Sequence, residues 1–315
     1  MIRVGTAGWS YADWQGRVYP RRKPPGFHPL SWLSNFVSAI EINSTFYALP
    51  KREHVRNWNE LVASFPQVRF TAKVHRDFTH RSSVRSAPGD QEPRGPRQEQ
   101  LAASEFLEAL EPLRASGRLT ALLLQFPHHF DRSEPHRNRL ARLVELFDAM
   151  PLVLELRHRS WFDPQVLERI AAQGLSVAAI DLPFVPDHPP EDAPTVGPIG
   201  YLRLHGRNRT QWFARGATRD QRYDYLYAED ELGQLVARAR RIASGTDETY
   251  VITNNHFGGQ AVANAIELRA RLEGRDGIAP QVLLDAFPRL RGVARPGPAE
   301  SSQPPSEGPS LFDES

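Results

Sequence analysis

Two short stretches carry residues whose types and spacing suit chemistry. Leu154-Glu155-Leu156-Arg157-His158 and Leu202-Arg203-Leu204-His205-Gly206 alternate apolar and ionisable side chains at period two. That is strand periodicity, and it places Glu155 with Arg157, and Arg203 with His205, on one face. Burying such groups costs several kcal/mol each unless they are paired, so a strand ending in them is building more than a core. A third stretch, Thr253-Asn254-Asn255-His256-Phe257-Gly258-Gly259, joins a strand-like segment to a helix through two glycines.

The elements that must position these groups follow from the same periodicities. Strands are expected over residues 2–7, 39–45, 69–75, 120–126, 152–157, 176–182, 201–205 and 249–255. Helical patterns separate most of them, over 29–36, 51–63, 101–115, 134–149, 164–173, 230–243 and 260–272. The start of the 164–173 helix is well marked, with Asp163 as N-cap and Pro164 in the first position. Eight strands alternating with helices imply an α/β (β/α)8 TIM barrel. The pattern is irregular between strands six and seven, where 183–198 holds six prolines and no ordinary helix can form. Residues 1–292 are expected to form the barrel domain. The Pro-, Ser-, Glu- and Gly-rich residues 293–315 are expected to be a disordered tail.

On this barrel the face opposite the branched apolar residues points inward. It carries Glu41, Asn43, Lys73, His75, Gln125, Glu155, Arg157, Asp181, Arg203, His205 and Asn255, nearly all at C-terminal strand ends, where barrels of this kind place their sites. Glu41, Glu155 and Asp181 could simply neutralise Lys73, Arg157 and Arg203 as a structural ion network. For any single pair that is the better reading. For the whole cluster a ligand site is favoured, because a barrel core can be filled by apolar residues without this cost.

Composition narrows the chemistry. The 315 residues are 40% hydrophobic and 24% charged, as in a globular protein, and cysteine is absent, which excludes thiolate catalysis and cysteine-ligated metals. The N-terminal segment is strand-like, without a charged leader, and no apolar run approaches transmembrane length, so a cytoplasmic protein without membrane association is expected. A net charge of +2 is too mild to argue nucleic-acid binding by itself. Neither GxSxG nor GxGxxG is present, and no metal-ligand spacing such as HExxH occurs. A metal site on Glu41, Glu155, Asp181, His205 and His256 is the less favoured reading, because the adjacent Arg and Lys side chains oppose a cation, and the sequence specifies no cofactor.

The cluster suits an anion. Glu155 or Asp181 would act as general base and His205 as general acid. Glu41, Asn43, Lys73, Gln125, Arg157, Arg203, Asn255 and Trp161 would bind substrate, with Arg157 and Arg203 offering bidentate forks. Gly258-Gly259 precedes a helix whose N–H groups could hold phosphate, although a glycine pair there serves the turn at least as often. Trp9, Tyr11, Trp14, Phe46, Tyr47, Trp161 and Trp212 fall in or just after strand ends, where rings suit a sugar or a base. The expectation is an enzyme with hydrolase- or lyase-type acid/base chemistry on a phosphorylated or otherwise anionic sugar or nucleotide-type substrate. The alternative is a non-catalytic module that binds nucleic acid or protein through the arginine-bearing residues 76–97 and the aromatic rim.

The stretches GTAGWSYADWQG, EINSTFYALP, ELRHRSWF, YLRLHGR and TNNHFGGQAVANA, in this order, resemble the DUF72 family, also called YecE-like proteins. The resemblance runs from residue 2 to Leu272 and implies a TIM barrel. It implies no established catalytic residue, because the family is known chiefly as uncharacterised. The tail lies outside it. There Leu311-Phe312 is similar to the end of sliding-clamp binding peptides, but the expected Gln is missing and position 308 is Gly, so an inert tail is the better reading.

Overall fold

The computed structural model of the protein describes residues 1–80, 95–183, 187–190, 192–212, 214 and 216–297. Among them the central strands are β1 (Ile2–Ala7), β2 (Ala39–Ile42), β3 (Arg69–Lys73), β4 (Leu119–Gln125), β5 (Leu152–Glu155), β6 (Ser176–Val177), β7 (Ala179–Asp181), β8 (Ile199–Leu204) and β9 (Glu248–Thr253). All pair in parallel, in the order β6-β5-β4-β3-β2-β1-β9-β8-β7. β6 and β7 are two halves of one run broken at Ala178. The first half pairs with β5 and the second with β8, so the barrel closes through continuous chain. Nine ladder segments thus occupy the eight expected strand positions.

The break has a local cause. The Val177 N–H donates to the Val196 carbonyl at 3.0 Å, and the Ile199 N–H donates to Ser176 Oγ at 2.9 Å. The end of the proline-rich crossover therefore runs against the strand before β8 begins. Gly197 permits the approach: its φ is +91°, and a Cβ there would overlap the Leu175 carbonyl. No helix forms among the described residues of that crossover, as its prolines require.

Alternation along each strand separates two cores. In β5, Leu152 and Leu154, followed by Leu156, face the outer helices, whereas Val153 lies inside the barrel with Leu123, Tyr201, Tyr250 and Ile252. The outer layer packs Phe70, Leu122, Leu154, Leu202 and Val251 beneath Phe106, Leu143, Leu235 and Ile266. Burying each such side chain is worth about 1.5–3 kcal/mol, so the helices are held by many small gains. Gly5 lets β1 approach β2, since a Cβ there would overlap the Ala39 carbonyl.

Helix ends follow the sequence signals. The helix Pro164–Ala172 begins where Asp163 Oδ1 accepts the Gln165 N–H at 3.0 Å. The helix that leads into β4 begins earlier than periodicity suggests, at Pro96, because proline suits a first turn. After the last barrel helix, Gln260–Glu273, β10 (Gly277–Ala279) pairs with β11 (Ala294–Pro296). The described body thus runs past the expected boundary at residue 292, since Ala294 is buried and Gly277 donates to the Val293 carbonyl. The remainder of the expected disordered tail, including Leu311 and Phe312, lies outside the described residues.

Candidate active site

The side chains that follow Val153 and Tyr201 inward are the predicted ones, and they meet. Arg203 is 1% exposed, Glu41 and Glu155 are fully buried, and together they form one chain of ion pairs. Arg203 grips Glu41 with both edges of its fork, Nε to Oε2 at 2.8 Å and Nη2 to Oε1 at 2.5 Å. Its Nη1 donates to Glu155 Oε2 and, at 3.3 Å, to Gln125 Oε1. Glu155 then accepts Arg157 on its other oxygen, from Nε at 2.7 Å. Below, the Tyr201 hydroxyl donates to Glu41 Oε2 at 2.9 Å and accepts from Thr71 at 2.8 Å.

Burial opposes the charge on Glu155, but Arg203, Arg157 and His205 outweigh it and hold the carboxyl well below the usual range. Burial likewise opposes the charge on Arg203, and Glu155 and Glu41 hold it well above its ordinary pKa. Glu155 and Arg203 are therefore held in their charged forms. Arg203 commits four of its five N–H groups to Glu41, Glu155 and Gln125 and so fixes two carboxylates.

Two groups on this ring are not satisfied in the same way. His205 Nδ1 accepts the amide Nδ2 of Asn254 at 3.0 Å, so the neutral ring carries its proton on Nε2. That Nε2 is 3.6 Å from Glu155 Oε1, too long for a hydrogen bond, and has no hydrogen-bond partner among the described residues. Burial outweighs the pull of Glu155 and lowers the ring's pKa to about 4, so His205 is neutral at ordinary pH. Lys73, at the end of β3, places its Nζ 3.5 Å from the centre of the Phe46 ring. Burial, then Arg203, lowers its pKa to about 7, against Glu155 and Glu41, which raise it.

Three expected site residues stand elsewhere. Ala178 faces the barrel interior, so Asp181 shares the outward parity of Ala179. It accepts Arg207 from Nη2 at 2.6 Å and the Tyr227 hydroxyl at 2.7 Å, a separate network under the helix Glu229–Ala243. On β9, Tyr250 and Ile252 point inward, so Asn254 continues that face. Asn255 turns away, donating to the Tyr225 carbonyl and to Asn264 Oδ1. Trp161 is core: it is 3% exposed, stacks on Phe130 and donates from Nε1 to the Phe130 carbonyl at 2.7 Å. His75 caps the short helix Arg76–Thr79 through Nδ1. The Gly258 N–H, offered for phosphate, already donates to Asp13 Oδ2 at 2.6 Å.

The rim is aromatic. A cleft of about 350 Å³ opens beyond β1 and β2, lined by Gly8, Trp9, Ser10, Tyr11, Asn43, Ser44, Tyr47 and Trp58. Trp9 and Trp58 meet edge to face at 5.1 Å. Asn43, which opens the Ser44–Phe46 turn, has its buried Oδ1 without a hydrogen-bond partner among the described residues. From this cleft, rings lead toward His205: Tyr11 stacks on His256 at 4.5 Å, and Tyr223 lies 5.2 Å from His256 and 6.2 Å from His205. Across the mouth, His128 and His188 stack with Nδ1 and Nε2 3.0 Å apart. The sequence reading missed both Asn254 and the histidine pair. The inward parity of Tyr250 and Ile252 would have found Asn254; nothing in the sequence links His128 to His188. Among the described residues no group of three or more His, Asp or Glu side chains is placed to hold a metal, and no helix is long and apolar enough to cross a membrane.

Fold and site define a parallel α/β barrel with a charged cluster buried in its C-terminal mouth. A profile of the family described as "Protein of unknown function DUF72" matches residues 3–285, and the chain belongs to that family. The UPF0759 protein YunF of Bacillus subtilis (strain 168) is 27% identical over 299 residues, covering 90% of this chain and 99% of YunF. The UPF0759 protein YecE of Escherichia coli (strain K12) is 25% identical over 193 residues, covering 60% of each chain. A DUF72 family protein of Thermotoga maritima MSB8 superposes with a TM-score of 0.70 at 29% identity, covering 87% of this chain and 99% of that one. One from Enterococcus faecalis V583 reaches 0.72 at 25% identity, covering 87% and 96%.

Proposed function

We propose that the barrel mouth is the active site of an enzyme that performs acid/base chemistry on an anionic sugar or nucleotide-type substrate. The observation that carries this reading is the buried, unpartnered Nε2–H of His205, held beside a carboxylate whose charge is already committed. A buried donor without a partner costs about 1–3 kcal/mol, and a ligand oxygen would recover it. Arg157 and Lys73 supply positive charge at the same level, and the aromatic cleft offers a ring-sized recess with an acceptor, Asn43 Oδ1.

The roles within the site differ from those expected of the sequence. Glu155 is too strongly held as an anion to serve as a base near neutral pH; it orients Arg157 and His205. Asp181 belongs to the Arg207 network. Lys73, with a pKa near 7, is the group able to exchange a proton at working pH, and neutral His205 donates a hydrogen bond to a developing oxyanion.

Thermal-shift titration with phosphosugars, nucleotides and their unphosphorylated counterparts tests this. A substrate-like compound at a hundred times its Kd should stabilise the protein by about 2.7 kcal/mol, and His205→Asn should abolish the shift. If no compound stabilises the parent chain, the cluster is a structural ion network.

A further inference from the structure

The geometry points to Lys73 as a covalent catalytic residue whose amine forms an imine with an aldehyde or ketone carbonyl of the substrate. This rests on the reading of the mouth as an active site and names its substrate class: a carbonyl compound such as an open-chain sugar or a ketose phosphate.

The first argument is the residue type. The chain has 39 lysines and arginines, and only Lys23, Lys51 and Lys73 are lysines. For nearly all of its positive charge this sequence uses arginine, which cannot give up its proton in a protein. Lys73 is the buried lysine, 6% exposed, at a C-terminal strand end of the barrel.

The second argument is the company it keeps. Glu41 and Glu155 face Lys73, yet both are occupied by Arg203 and Arg157, and among the described residues no carboxylate lies within ion-pair distance of its Nζ. The two guanidiniums repel a third positive charge, and His80, packed edge-on against Phe46, adds an imidazole that burial keeps neutral. What lies beneath the Nζ is the face of Phe46, which attracts a cation but accepts no conventional hydrogen bond, so the amine is desolvated without a carboxylate to hold its proton. A lysine desolvated beside other cations is the arrangement that activates amines as nucleophiles. At pH 7 its free-amine fraction is on the order of a thousandfold above that of an ordinary lysine.

The third argument is access. Phe46 belongs to the turn Ser44–Phe46, and the same turn presents Asn43, Ser44 and Tyr47 to the aromatic cleft. Phe46, whose ring lies under the Lys73 amine, is thus the chain neighbour of Tyr47 in the cleft wall.

The step balances. The nitrogen lone pair of the free amine attacks the carbonyl carbon, and the carbonyl π pair moves to oxygen, which takes a proton from solvent while the neutral His205 Nε2–H can donate a hydrogen bond to it. The nitrogen releases one proton to solvent, the hydroxyl takes a second proton from solvent and leaves as water, and the nitrogen lone pair forms C=N, so that one proton is taken up overall from the free amine. The product is a protonated imine that can accept electrons from an adjacent C–H or C–C bond.

The full-length protein at pH 7 should be treated with dihydroxyacetone phosphate and borohydride, and in parallel with formaldehyde and cyanoborohydride, then digested and weighed by peptide. Both arms should place the reduced adduct on Lys73 at least about tenfold above Lys23 and Lys51. Lys73→Arg, which keeps the charge, should lose it. Labelling confined to Lys23, Lys51 and the N-terminus in either arm overturns the proposal. Should dihydroxyacetone phosphate stabilise the parent chain thermally without any adduct at Lys73, the active-site reading stands and the imine falls.

Discussion

Asn254 Nδ2 donates to His205 Nδ1 at 3.0 Å, and this one contact decides where the imidazole keeps its proton. With Nδ1 occupied as an acceptor, the ring must carry hydrogen on Nε2, on the side of Glu155. Asn254→Leu should release that constraint. Long-range 15N–1H spectra of His205 are expected to change from a single Nε2–H tautomer to a mixture, at a cost in stability of about 1 kcal/mol. A pure Nε2–H signal in the variant would show that Glu155 alone selects the tautomer.

Arg203 joins Glu41 to Glu155. Arg203→Met leaves two buried carboxylates facing each other, and should destabilise the fold by about 3–5 kcal/mol in urea unfolding. Adding Glu41→Gln should recover part of that loss, because one uncompensated charge is removed. Equal stability of the single and double variants would mean that water enters the site and screens the carboxylates.

These two residues also show how much of the molecule was legible beforehand. Period-two alternation around Glu155 and Arg203 placed both strands, their inward faces and their meeting at the barrel mouth. Alternation also predicted Glu41, Lys73, Gln125 and Arg157 there. It failed where the strand itself is irregular. Asp181 follows the break at Ala178, which the crossover's contact with Val177 imposes, and that long-range contact has no local signature. Asn254 rather than Asn255 continues the inward face because Tyr250 points inward: a tyrosine fills the narrow barrel interior as readily as it covers an exterior. Trp161 is a reminder that a tryptophan beside a strand end is often held by one hydrogen bond in the core.

The pH dependence of stability should separate the buried groups. For His205 the folded pKa of about 4 lies below the ordinary 6.5, so the unfolded chain binds the extra proton between these values. The stability it contributes is complete above pH 6.5 and is lost as pH falls toward 4. His128 and His188, also lowered to about 4 by burial, act in the same direction. Across this window each histidine steepens the loss by up to about 1.4 kcal/mol per pH unit. His205→Asn should flatten the curve of unfolding free energy against pH between 4 and 6.5. An unchanged slope would mean that the imidazole is not held neutral.

Lys73 acts at the other end of the scale. Its folded pKa is near 7 and its ordinary value 10.5, so between these the unfolded chain again holds more protons than the folded one. Stability should therefore rise as pH increases from 7 toward 10.5, with a slope of up to about 1.4 kcal/mol per unit. Lys73→Met should remove this rise and be the more stable protein at pH 7, since no charge is buried over Phe46. A parent chain whose stability is flat across pH 7–10 would show that Lys73 keeps an ordinary pKa.

Tyr47 allows binding to be separated from folding. It is 55% exposed, lines the aromatic cleft and packs edge-on against Phe46 at 5.1 Å. Exposed side chains of this kind contribute little to stability, so Tyr47→Ala should leave unfolding within about 0.5 kcal/mol of the parent. If a substrate ring stacks in the cleft, the same change should weaken its binding by about 1–3 kcal/mol, the usual worth of an aromatic platform. Trp58→Ala, whose partner Trp9 is buried, should lower stability as well as binding. Calorimetric titration of both variants, with whichever phosphorylated compound stabilises the parent, reads the two effects separately. Undiminished affinity in Tyr47→Ala and Trp58→Ala would place the bound ring outside this cleft, closer to Arg157 and the His128–His188 pair.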